Sequence, residues 1–250
     1  MTPLRRLTPI LAAMLTLAVV ASACGGGDDD GGATAPTADP SGNVIRNGGF
    51  EEGRDPWYSL RPPEWILATD KVHSGSASAH LQMRDTAASE EDVIHYLVQE
   101  TAPSELPEVL SGEYFVENWK KGTKSQYVQF VVIIWADDVS EMPLCPDGTP
   151  CPNYQIRFLL AGVDEDPFPI GNAKFVYVTT DEPVEGEWVH FERNVKQDFM
   201  ERWGGIPKDI TNIRLLFEVR FDNKAVGEGP FEADVYYDDL YFGPAAGLPQ

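Results

Sequence analysis

Basic side chains are scarce: the 250 residues hold Lys+Arg 19 against Asp+Glu 40, a formal net charge of −21 and a pI near 4.4. A surface of that sign repels phosphate backbones and anionic headgroups, so nucleic acid is excluded as a partner and a membrane is approached only through an anchor. Histidine is scarcer still, and His73, His80, His95 and His190 are scattered with no metal-ligand spacing. The sequence has no HExxH, no GxSxG and no phosphate-cradling glycine loop before a helix. Acid pairs do occur at Glu51/Glu52, Glu90/Glu91 and Asp238/Asp239. Neighbours on a strand face opposite ways, however, and cannot flank one glycosidic bond together, so a catalytic constellation is not expected. Long helices are excluded as well, because 22 Gly and 20 Pro interrupt the apolar runs. What is present, 42% hydrophobic and 11% aromatic residues, suffices for a core, and the short punctuated runs give an all-β class.

The N-terminus reads as a targeting segment. Arg5 and Arg6 precede an apolar stretch over 10–20 that is too short to span a bilayer and suits the h-region of a secretory signal. It ends Ala21-Ser22-Ala23-Cys24, which resembles the lipobox of bacterial lipoproteins. The resemblance implies a signal peptide over 1–23, lipidation of Cys24, and export to the outer face of the cytoplasmic membrane or the cell surface. Ala21 stands where that family usually carries a larger aliphatic, so ordinary cleavage after Ala23 is the alternative. Residues 24–42 are Gly, Asp, Ala, Thr and Pro with almost nothing to bury and read as a flexible, disordered linker, with Asp28 to Asp30 solvated rather than ligating. The two other cysteines, Cys145 and Cys151, flank Pro-Asp-Gly-Thr-Pro, a turn that brings the thiols together in an oxidising compartment, so a disulfide is expected.

From Asn43 to the end, one domain is expected. Ile213 to Phe221 alternates apolar and mostly polar residues, the period of a half-buried strand. Tyr127 to Ala136 is apolar nearly throughout and rich in β-branched residues, as in a central strand. Further strands are expected over 78–83, 113–119, 155–161, 175–180, 188–195 and 233–242, with one short helix over 195–203 stopped by Gly204-Gly205. Eight strands joined by loops point to a two-layer antiparallel β-sandwich.

Three landmarks carry a resemblance. Asn43-Val44-Ile45-Arg46-Asn47-Gly48-Gly49-Phe50-Glu51-Glu52-Gly53 followed by Trp57, then His73-Ser74-Gly75-Ser76-Ala77-Ser78, then Tyr236-Tyr237-Asp238-Asp239-Leu240 resemble, in that order, the carbohydrate-binding modules of the family 4/9/22 type, within the galactose-binding-domain-like jelly rolls. The resemblance implies a jelly roll over 43–250 and a structural calcium (Ca2+) held by Gly49, Glu51, Gly75 and Asp238. Alternation along the last strand puts Asp238 on one face with Tyr236, Leu240 and Phe242. A carboxylate among such neighbours needs some partner, so an Asp238 held by hydrogen bonds without a metal is the alternative.

Sugar sites set aromatic faces beside polar side chains. Trp119, Trp135, Gln129, Gln155, Arg157, Glu218, Arg220 and Tyr237 are the candidates, because alternation puts most of them opposite the core-facing sets. Trp57 and Trp188 are expected in the core, and Trp65 and Trp203 in loops that rim a groove. The expected function is non-catalytic binding of a poly- or oligosaccharide outside a bacterial membrane. A structural or protein-binding envelope module, and a glycoside hydrolase or polysaccharide lyase on the same sandwich, are the alternatives.

Overall fold

The computed structural model describes residues 41–122, 125–166 and 170–249. The expected signal peptide, Cys24 and most of the expected linker lie outside the described residues. Ten strands follow in order: β1 (Ile66–Ala68), β2 (Ser78–Asp85), β3 (Val93–Thr101), β4 (Val109–Lys120), β5 (Gln126–Asp138), β6 (Tyr154–Ala161), β7 (Ala173–Tyr177), β8 (Trp188–Asn194), β9 (Lys208–Phe221) and β10 (Phe231–Gly243). One helix, α1 (Val195–Trp203), separates β8 from β9.

The strands form two five-stranded sheets, β1-β2-β10-β4-β8 and β3-β9-β5-β6-β7. Alternation explains why they pack. Val128, Phe130, Val132 and Ile134 of β5 and Leu215, Phe217, Val219 and Phe221 of β9 meet Leu81, Leu110, Val116, Val235 and Tyr237 of the opposite sheet in one core. Phe130 stacks on Phe158 at 4.4 Å between centroids and lies 5.1 Å from Phe191 across the sandwich. The expected sandwich is therefore present, with two differences. β1 and β3 were not among the eight expected strands, and β6 pairs with β7 in parallel while the other pairs are antiparallel.

Helix α1 matches its expected span. Asn194 caps it by accepting the Gln197 N–H, and Gly204, at φ 73°, closes it with an N–H to Met200 O. The Cys145–Cys151 disulfide is formed and closes a turn in which Gly148 N–H donates to Cys145 O. Trp57 is in the core as expected, but so are Trp65 and Trp203, which were expected at a groove rim. Trp65 packs on Phe50 at 5.8 Å, and Trp203 ends α1 against Tyr154. Trp188 departs the other way and sits half-buried on an outer face beside Phe115.

His95 faces inward from β3 next to Leu97, and burial pulls its pKa down to about 4 from 6.5. The folded state therefore holds a neutral ring that the unfolded chain protonates at higher pH. Its contribution is present above pH 6.5 and is lost as pH falls toward 4. Thermal melts across that window should lose about 3 kcal/mol from this group, and His95→Gln should flatten that part of the profile. A wild-type slope unchanged by the substitution would contradict this.

Candidate functional site

The outer face of the β3-β9-β5-β6-β7 sheet is built by the residues that alternate with the core. Register sets them in rows that cross the strands: Glu100, Arg214, Ile133 and Gln155; Val98, Leu216, Val131 and Arg157; Tyr96, Glu218, Gln129 and Leu159; Ile94, Arg220 and Tyr127. Six of the eight sequence candidates, Trp135, Gln129, Gln155, Arg157, Glu218 and Arg220, thus share one face. Val98, Val131, Ile133 and Leu216 form an apolar patch there, with Tyr96 and Trp135 half-buried against it. The Arg214 guanidinium lies 5.3 Å from the Trp135 ring centroid and pairs with Glu100.

Beside the patch is a charged network. Arg220 reaches Asp222 at 3.1 Å and Glu218 at 3.4 Å, Tyr127 Oη donates to Asp222 at 2.6 Å, and Gln129 Nε2 donates to Glu218. A carboxylate can only accept, so the Gln129 amide is fixed with its nitrogen toward Glu218. Burial raises the Asp222 pKa against the pull of Arg220, and burial lowers that of Arg157.

Two candidates fall elsewhere. Tyr237 is fully buried between the sheets against Phe217, with its hydroxyl donating to Glu218 O, so a saccharide has no route to it. Its ring faces the core because it alternates with Tyr236, which faces out. Trp119 lies on β4 of the other sheet, its indole N–H given to Glu182 and its backbone N–H to Glu185. Tyr96, Tyr127 and Arg214 were missed. Arg214 and Tyr127 were readable as outward positions of strands already expected, whereas Tyr96 needed the unrecognised β3, whose run Val93-Ile94-His95-Tyr96-Leu97-Val98 is a strand signal.

The residues of the three sequence landmarks also meet, through the carboxylates of Glu51 and Asp238. Glu51 Oε1 accepts the N–H groups of Ser76 and Ala77 and Oε2 the Ser76 hydroxyl. Gly75 sits at φ 65°, the left-handed region that favours glycine, and a Cβ there would come within 2.3 Å of that carboxylate and push it off these donors. Asp238 Oδ2 accepts the N–H groups of His73 and Ser74, and Oδ1 that of Asp239. Burial pushes Asp238 up to about 6. A shift in the β10–β4 register between Asp238 and Tyr241, with Asp239 at φ 50°, lets Leu240 and Phe242 turn into the core while Asp238 stays on the face of Tyr236. This corrects the expectation that Asp238, Leu240 and Phe242 share a face. Hydrogen bonds thus supply a partner for the buried carboxylate. As for calcium, Asp238 Oδ1 and Glu51 Oε2 each keep a lone pair beyond these bonds. Among the described residues no group of three or more His, Cys, Asp or Glu side chains is placed to hold an ion, so backbone carbonyls would have to complete such a site.

Next to this latch, on the outer side of β4 and β8, is a cavity of about 620 Å³ lined by His73, Glu113, His190, Glu192 and Asp239 among others.

No protein-family model matches the chain, and no curated protein does. Solved structures with a similar layout exist. The C-terminal family 22 carbohydrate-binding module of Clostridium thermocellum Xyn10B is 13% identical over 85% of this chain and 99% of that one, with a TM-score of 0.41. A family 61 module in complex with β-1,4-galactotriose is 14% identical over 80% of this chain and 97% of that one, also at 0.41. A segment of a β-1,2-glucanase from Parabacteroides distasonis is 14% identical over 76% of this chain but 22% of the enzyme, at 0.37. At these identities and scores the likeness concerns sandwich layout and assigns no ligand to this chain.

Proposed function

We propose that the protein binds a poly- or oligosaccharide on the outer face of the β3-β9-β5-β6-β7 sheet and does not cleave it. The observation that carries this reading is the convergence on one face of two half-buried aromatic rings, Tyr96 and Trp135, with Gln155, Arg157, Arg214 and Glu100 around an apolar patch. Flat rings cover the C–H faces of pyranoses while amide, guanidinium and carboxylate groups meet their hydroxyls. The absence of cleavage is supported by Glu218 and Asp222, the buried carboxylates of this face. Both are held by Arg220 and by neutral donors, which leaves neither placed to exchange a proton with a leaving group.

Calorimetric titration of the domain with a panel of neutral and acidic glycans tests the reading. Dissociation constants on the order of micromolar to millimolar are expected for an open face. Trp135→Ala should weaken binding by roughly 1–3 kcal/mol at unchanged melting temperature. No binding across the panel would leave the structural-module alternative, and new reducing ends or unsaturated products would turn the reading to an enzyme.

Display outside a bacterial membrane through a lipidated Cys24 belongs to the same proposal. The mass of the mature N-terminus reads it, and an unmodified Cys24 would end it. So does a structural calcium at the latch, supported by a buried Asp238 carboxylate next to a second acid, Asp239. Chelation should then lower the melting temperature, because an ion bound only by the folded state adds to its stability. Identical melting in calcium and in chelator would remove the ion.

A further inference from the structure

The cavity beside the latch has a composition unlike that of the saccharide face. Ser111 and Glu113 of β4 stand opposite Glu192 and His190 of β8, all four among its lining residues. The remaining walls include His73 and Ser74 of the latched turn, Asp239, and the apolar Leu248 and Pro249. Its two imidazoles are both oriented. His190 Nδ1 lies 2.8 Å from Glu113 Oε1, and His73 Nδ1 lies 2.7 Å from Asp239 Oδ2. A carboxylate only accepts, so each ring gives its Nδ1–H to the acid, and its Nε2 is left on the far side of the ring. Glu192 Oε2 is 3.9 Å from His190 Nε2, beyond a hydrogen bond, and the Glu192 side chain is half exposed.

Among the described residues no lysine or arginine lines the cavity, while three carboxylates do. An anionic ligand is therefore repelled and a cationic group favoured. An ammonium alone would use the acids and leave the imidazole nitrogens, Ser74 and the apolar wall unused. A sugar ring carrying an ammonium uses all of them. The –NH3+ donates to carboxylates, and a ring hydroxyl donates to Ser74 Oγ, whose own hydrogen goes to Asp239. Other hydroxyls pair with the imidazole Nε2 atoms, donating to a neutral ring and accepting from the protonated His73 that Asp239 favours. The C–H edge lies on Leu248 and Pro249. The volume, about 620 Å³, falls within the range of small-molecule sites.

We infer that this cavity binds an amino sugar with a free, protonated amine, at a site separate from the face of Tyr96 and Trp135. The inference does not rest on the reading of that face, since the two sites lie on different sheets and share no residue.

Calorimetric titration of the full chain with glucosamine, N-acetylglucosamine and methylamine tests it. Glucosamine is expected to bind in the millimolar range, with N-acetylglucosamine and methylamine each at least about tenfold weaker. Glu192→Gln, a half-exposed position, should weaken glucosamine at least about fivefold without changing the melting temperature, and added salt should weaken it further. Glu113→Gln serves as a second variant at a more covered acid. Trp135→Ala should leave glucosamine binding intact, so failure of the other face is read separately. Equal binding of glucosamine and its N-acetyl form would overturn the ammonium, equal binding of methylamine would overturn the sugar, and no binding of glucosamine would overturn the site.

Discussion

The register between β5 and β9 is the constraint on which both the core and the outer face proposed to bind saccharide depend. These two long strands pair from Gln126↔Phe221 through Trp135↔Asn212 before the ladder shifts. In this register Phe130 meets Phe217 on the inner side and Gln129 meets Glu218 on the outer. Slipping one strand by a residue would exchange its inner and outer sides, sending Glu218 and Arg220 into the core and Phe217 and Val219 outward. The core enforces the register because its aromatic and β-branched side chains are buried almost without exception. The outer face inherits its geometry from that enforcement.

Electrostatics then separates this face from the rest of the surface. A chain with a net charge of −21 places Arg157, Arg214 and Arg220 on one side of one sheet. Arg220 is buried with Glu218 and Asp222, and taking such ions out of water costs several kcal/mol that mutual attraction only partly recovers. An apolar cluster would cover the sheet at lower cost. A retained polar network beside half-buried rings suits the proposed recognition surface, where fixed donors and acceptors give orientation.

Much of this was legible from residue order. Alternation along 213–221, 127–136 and 155–161 located three neighbouring strands and put six of eight candidate residues on one outer face, because period two is a property of the extended backbone wherever the ladder is regular. Cys145 and Cys151 were legible because a six-residue separation with turn residues leaves little choice of partner. What alternation does not reveal is which sheet a strand joins. Trp119 was grouped with Trp135 although β4 belongs to the opposite layer. Tyr237 was assigned outward by the same reasoning that mistook Asp238, Leu240 and Phe242 for one face, and the register shift around Asp239 is invisible to a count by twos. Strand β3 was overlooked, and with it Tyr96. The cavity between β4, β8 and the latched turn was beyond reach for the same reason: its histidines lie 117 positions apart in sequence and meet only through sheet pairing and the carboxylates of Glu51 and Asp238.

The account's central claim is that glycan is held on the outer face of the β3-β9-β5-β6-β7 sheet. Amide hydrogen exchange with and without a bound oligosaccharide, read peptide by peptide, tests this most directly because it needs no substitution and reports both sheets at once. The account predicts added protection in β3, β5, β6 and β9, including the segments that carry Tyr96 and Trp135, with β2, β4 and β8 unchanged by a neutral glycan. Protection confined to β2, β4, β8 or the loops, with β5 and β9 unaffected, would contradict it.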